Sequence, residues 1–168
     1  MKRLVNIICV AVILCLASAT FAAEQAIWLP VDEYIANVNK ECQRIGIPPV
    51  KITGTRSLPS GGTAHLWQVG DGQQFAGGID TNSKGGITKA ALFAAPGKGD
   101  VRDFTVSFFL YLSAWMAGPE PAISQEKKAF VLQELGISTG KGKDEGMVLD
   151  YLYSYKVMKN AFLFTIEP

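Results

Sequence analysis

Apolar residues recur along this chain at two different periods, and the changes between them divide it into elements. From Val31 the sequence reads VDEYIANVNKECQRIG, with Val31, Ile35, Val38, Cys42 and Ile45 spaced alternately four and three apart. That is one apolar seam on an amphipathic helix. Pro30 suits its first turn, Asp32 and Glu33 suit the positive end of the helix dipole, Arg44 suits the negative end, and Gly46 supplies a stop.

After Pro48-Pro49 the period shortens to two, with glycine-rich punctuation roughly every ten residues, the pattern of an antiparallel meander. The strands it predicts are Val50 to Thr55, Ala64 to Val69, Gln74 to Asp80 and Gly86 to Ala94. Gly70-Asp71-Gly72 and Asn82-Ser83-Lys84-Gly85-Gly86 carry tight-turn chemistry, while Leu58 to Gly62 reads as a looser connection. Gly77 and Gly78 inside the third strand predict a bulge or a place where a helix lies close to the sheet.

Helical spacing returns at Phe104 to Met116, an almost wholly apolar stretch that ends at Gly118-Pro119. Phe104, Phe108, Tyr111 and Trp115 line one face, and Val106, Phe109, Leu110, Leu112 and Met116 occupy most of the rest. Such a helix is expected to be covered nearly all round. It is too short to span a bilayer and has no basic polar face, so it reads as a core element rather than a membrane one. A third helix follows from Ser124 as N-cap to Gly136, then a polar loop from Ser138 to Gly146. A hairpin closes the chain, with Val148 to Met158, a Lys159-Asn160 turn, and Ala161 to Ile166. The order is α-β-β-β-β-α-α-β-β. Strands grouped apart from helices predict an α+β fold: a mainly antiparallel sheet of about six strands with three helices on one face.

The N-terminus changes the picture of where this domain works. Lys2 and Arg3, the apolar run Leu4 to Leu16 and the small residues of Ala17 to Ala22 form a signal-peptide pattern with cleavage before Ala23. Cys15 follows Val12-Ile13-Leu14, which lacks the small residue a lipidated cysteine needs before it. The expectation is an exported single domain over residues 23–168, periplasmic in a Gram-negative source and otherwise secreted, with no stable membrane insertion after cleavage. About 145 residues suffice to bury a core. Without Lys2 and Arg3, basic and acidic residues are nearly equal in number, which argues against a nucleic-acid partner. Cys42 would be the sole remaining cysteine, and its place on the helix seam predicts a small buried hydrophobe.

Candidate chemistry is sparse. His65 is the only histidine, so a His/Cys zinc cluster is excluded and no metal or cofactor is expected. No G-x-S-x-G turn accompanies it. The carboxylates Asp100 and Asp103 read as helix-start residues, Asp80 as a turn residue, and Asp144 and Glu145 as loop residues, so no catalytic pair is assigned. The lysine-glycine loops Gly97 to Asp100 and Gly140 to Asp144 lack P-loop spacing. The most suggestive pattern is Tyr151, Tyr153 and Tyr155 at period two, on one face of a strand. That face either packs under the helices or forms an aromatic binding surface, which Trp67 and His65 would extend if their strand were adjacent.

These features predict an exported non-enzymatic binding protein of inhibitor, immunity or envelope-accessory type. It would meet a protein or other envelope macromolecule through an aromatic sheet face (His65, Trp67, Tyr151, Tyr153, Tyr155) or through loops. The alternative is a periplasmic pocket protein or small hydrolase, with His65 or a carboxylate at a cavity between helix and sheet.

Overall fold

The architecture follows from where the alternating segments pair. A computed structural model describes residues 25–69, 74–97, 100–137, 145–148, 151–158 and 161–168. The expected export segment, the turns at Gly70 to Gly72 and Lys159-Asn160, and most of the polar loop after Ser138 lie outside these residues. The elements are α1 (Val31–Ile45), β1 (Val50–Ser57), β2 (Thr63–Val69), β3 (Phe75–Thr81), β4 (Ile87–Ala94), α2 (Val101–Met116), α3 (Gln125–Glu134), β5 (Glu145–Val148), β6 (Tyr151–Met158) and β7 (Ala161–Glu167). The expected α+β order holds. One short strand, β5, is added where the sequence reads as loop and strand start, and the sheet has seven strands in the order β1-β2-β3-β4-β7-β6-β5. Every pairing is antiparallel.

The first four strands form the expected meander, and the chain then crosses over through α2 and α3. It returns along the far edge, so β7 pairs with β4 in the middle. Two rows of side chains cross the sheet on its helix-covered face. Ile79, Ala90, Ile166 and Tyr153 stand opposite one another in register, as do Leu92, Phe164 and Tyr155, and the central members of both rows are buried. The other face carries the alternate residues, of which Leu66 and Phe93 are exposed.

Local chemistry sets the ends of the elements. Asp100 is the N-cap of α2, its side chain accepting from the Arg102 N–H at 2.7 Å, so this helix begins before the apolar run does. Ser124 caps α3 by accepting from the Lys127 N–H at 3.2 Å. Leu58 to Gly62 is tighter than expected: Leu58 N–H donates to Gly62 O at 2.9 Å and Gly61 N–H to Leu58 O at 3.0 Å. Gly61 takes the positive φ of 83° that this loop requires. In the β3–β4 hairpin the Asn82 side chain accepts from the N–H groups of Lys84 and Gly86.

The helices are pinned to one another by side chains. Tyr34 is buried on α1 beside Ile35, Val38 and Cys42. Its hydroxyl donates to the Trp115 carbonyl at 3.2 Å, and the Asn37 amide donates to the Gly118 carbonyl at 3.0 Å. Both bonds tie α1 to the C-terminal end of α2, where the Trp115 carbonyl also accepts from the Gly118 N–H at 3.1 Å. Lys128 of α3 is buried and reaches Glu41 of α1 at 2.5 Å and Ser113 of α2 at 3.2 Å. The apolar α2 is not covered all round. Phe104, Phe108, Tyr111, Leu112, Trp115 and Met116 are buried, but Val101 and Val106 on its first turns are exposed. Among the described residues no helix is long and apolar enough to cross a membrane.

Candidate functional site

The structure separates the residues that the sequence grouped. Trp67 of β2 and the tyrosines of β6 lie three strands apart, with β3, β4 and β7 between them. Four inter-strand steps of about 4.8 Å place them roughly 19 Å apart. Trp67 is buried and packs on Trp115, with ring centroids 4.5 Å apart. Tyr153 and Tyr155 are buried as well, and Tyr151 is half-buried and set edge-on to Tyr153. The aromatic sheet face is therefore part of the core and not an exposed contact surface. The reason is register: Tyr153 and Tyr155 stand opposite Ile166 and Phe164, so they share the face that the helices cover.

Burial leaves its mark on these hydroxyls. Desolvation raises Tyr153 and Tyr34 well above the ordinary phenol range and moves Tyr111 to about 12. The Tyr111 hydroxyl donates to the Pro48 carbonyl at 3.0 Å. The Tyr153 hydroxyl and the Trp115 indole N–H are buried with no hydrogen-bond partner among the described residues.

His65 is half-buried at one end of β2, in a groove of about 400 Å³ formed with Pro30, Val31 and Asp32 of the α1 entry and with Thr63, Thr81 and Asn82. Thr81 is buried, but its hydroxyl is engaged with the Thr63 backbone. No nucleophile or carboxylate is hydrogen-bonded to His65 among the described residues. Among them, too, no group of acidic, histidine and cysteine side chains could hold a metal. Cys42 is fully buried, and burial first, then Glu41, pushes its thiol up to about 11. It packs as a hydrophobe, as its place on the seam predicts.

A different cavity, of about 270 Å³, opens between the start of α2 and the sheet, near the C-terminal end of β4. Helix α2 supplies Val101, Phe104, Thr105, Phe108 and Phe109 to it, and the strands supply Tyr155 and Phe162, with Pro96 and Ile137 at the connections. The i, i+4 spacing of Phe104 and Phe108 aims both rings at the sheet. Their planes lie 8° apart at 6.2 Å, and those of Tyr155 and Phe162 lie 9° apart at 6.1 Å. Phe104 and Phe162 face each other at 6.1 Å with 25° between planes. Among the described residues no charged side chain lines this pocket. The Thr105 hydroxyl is committed to the Val101 carbonyl at 2.8 Å, and burial raises the Tyr155 phenol.

Of the candidate binding residues His65, Trp67, Tyr151, Tyr153 and Tyr155, only Tyr155 lines this pocket. Phe104 and Phe108 were legible as a helix face and Phe162 as a strand face, but nothing local shows that α2 overhangs the end of β6 and β7. Away from the pocket, Glu41 is strongly perturbed. Hydrogen bonds from Arg44, with help from Lys128, bring its carboxyl to about 2 against the opposing effect of burial. It joins α1 to α3 and serves the fold.

Comparison of the chain with known families, with characterised proteins and with solved structures finds no match.

Proposed function

We propose that this chain is an exported, non-enzymatic binding protein whose ligand is a small apolar molecule held in the aromatic pocket between α2 and the sheet. One observation carries the reading: the cavity is walled by Phe104, Phe108, Phe109, Tyr155 and Phe162, and among the described residues no charged side chain lines it. A ring-lined concavity where two layers meet is the usual form of a small-molecule site. Catalysis there would need a nucleophile and a base within hydrogen-bond reach, and His65 lies on β2, with β3 and β4 between it and β7. Export rests on Lys2-Arg3, the apolar Leu4 to Leu16 and the small residues before Ala23. A macromolecular partner would have to use loops or the other sheet face, where Leu66 and Phe93 are exposed, because the aromatic face is core.

Thr105 provides the test, since it lines the pocket but is exposed on the helix. Thr105→Trp fills the cavity while leaving the buried rings in place. Ligand-observed NMR with a set of small neutral hydrocarbons and aromatics is expected to show saturable binding to the wild type, lost in a Thr105→Trp variant of unchanged Tm. Absence of saturable binding by any compound, or binding that survives the filling, would overturn the reading.

A further inference from the structure

We infer that a second copy of this chain packs on the sheet face opposite the helices, burying Leu66, Phe93 and Leu163 in a weak two-fold dimer. The aromatic pocket opens on the helix side and stays free. An antiparallel sheet covered on one face ordinarily alternates apolar residues inward with polar residues outward. The outward positions of the central strands depart from that pattern. Across β2, β3, β4 and β7 the register lines up Leu66, Gly78, Ala91 and Thr165 in one row, and Gln68, Ala76, Phe93 and Leu163 in the next. Neither row holds a charged residue. Leu66 is 41 % exposed and Phe93 39 %, and the Thr165 hydroxyl is already bonded to that of Ser154 at 2.6 Å. Charges are confined to the row beyond, where Asp80 stands opposite Lys89 and Lys89 pairs with Glu167 at 2.7 Å. An apolar centre with ion pairs at its margin is the anatomy of a contact surface. The helices lie on the other side of the sheet, where Trp115 and Phe108 of α2 meet Trp67 and Phe162.

Shape and area select a second copy as the occupant. In the first row the bulk lies on β2 and the hollows on β3 and β4; in the second the hollow lies on β3 and the bulk on β4 and β7. A two-fold axis running across the strands, between the rows, lays each row over the other. Phe93 then meets Ala91 of the second copy, and Leu163 meets Thr165. Such self-complementarity is what an isologous contact requires, and the strands of the two copies run antiparallel, as aligned sheet packing allows. The charged row falls at the rim. Five strands from β2 to β6, of seven or eight residues each, give a face of roughly 24 Å by 24 Å at the usual spacing and rise. Covering it on both copies removes about 1,100 Å² from water, close to the lower limit for a specific interface and suited to a weak, reversible one.

Sedimentation velocity of the purified protein from about 5 to about 500 µM is expected to show a reversible monomer–dimer equilibrium with a Kd of about 10 to 100 µM, in keeping with an interface of this size. Ala91→Glu and Phe93→Lys each set a charge in the apolar centre and should weaken association at least about tenfold. Val106→Lys, on the exposed side of α2, should leave it unchanged. Mixing the first two variants should restore a dimer, because the two-fold axis brings the new carboxylate and the new ammonium together. Wild-type NMR spectra supply a readout that needs no variant: dilution should shift the signals of Leu66, Phe93 and Leu163 and leave those of Val106 in place. A monomer at the highest concentration, a dimer that survives both charges or is lost in Val106→Lys, no association in the mixture of folded variants, or dilution shifts away from this face would each overturn the inference.

Discussion

The Trp67 indole lies across Gly77 of the neighbouring strand and donates its N–H to the Ala91 carbonyl of β4 at 3.2 Å, and a Cβ added at Gly77 would come within 2.0 Å of that carbonyl oxygen and 2.6 Å of Trp67 Cζ2. The glycine exists to let a tryptophan from β2 reach over β3. It marks neither a bulge nor an approaching helix, and the register shift in this hairpin falls at Asp80/Thr81 instead. Gly77→Ala should therefore cost about 3 kcal/mol by overpacking. Gly78→Ala, whose Cβ would meet nothing nearer than 3.8 Å, should stay within about 0.5 kcal/mol of wild type. Urea unfolding of the two variants checks the contrast.

Burial of the tyrosines yields a second prediction. The Tyr153 hydroxyl has no partner among the described residues, so Tyr153→Phe should leave stability unchanged or raise it by up to about 1 kcal/mol. Tyr153→Ala opens a cavity in the core and should cost about 3 to 5 kcal/mol. If the hydroxyl were instead a contact group at a surface, both variants would unfold at nearly the wild-type denaturant midpoint.

At the junction of α1 and α2, Gly118 packs directly on the Tyr34 ring, and a methyl group there would overlap it. Gly118→Ala should lower Tm by more than Tyr34→Phe. The latter loses one hydrogen bond to the Trp115 carbonyl and should cost about 1 kcal/mol. Thermal unfolding of both ranks the two effects.

Acid should loosen the contact between α1 and α3. The Glu41 carboxyl titrates at about 2 in the folded chain against an ordinary 4.5. A depressed carboxylate contributes stability that is complete above its unfolded pKa and lost as pH falls through the folded one. The decline belongs to the interval from about 4.5 to 2. Glu41→Gln should flatten that part of the stability curve. At neutral pH it should cost about 3 kcal/mol, because it leaves the buried Lys128 without its counter-charge. Lys128→Met should be far milder, since Glu41 keeps Arg44 at 2.6 Å. Chemical denaturation from pH 2 to 7 separates these outcomes.

Cys42 should resist modification in the folded chain. It is fully buried and its thiol is raised to about 11, so little thiolate forms and none is accessible. Alkylation by iodoacetamide at pH 8 is expected to be at least about a hundredfold slower than in urea, limited by opening of the α1 layer. Mass spectrometry over a time course measures the ratio.

The sequence by itself determined what is local. The spacing of Val31 to Ile45, the alternation after Pro49 and the caps at Asp100 and Ser124 are set by backbone hydrogen bonding and by helical and strand periods. Those terms act within a few residues, and they sufficed for the helices, six of the strands and the α+β class. The tertiary structure alone decided which alternate residues of β6 face inward. It also decided that β7 pairs with β4, separating Trp67 from Tyr153, and that α2 overhangs Phe162 and Tyr155 to leave a pocket. Those outcomes depend on strand pairing and layer packing between residues far apart in the chain. A period of two says that Tyr151, Tyr153 and Tyr155 share a face; only the helices lying over that face make it the inside.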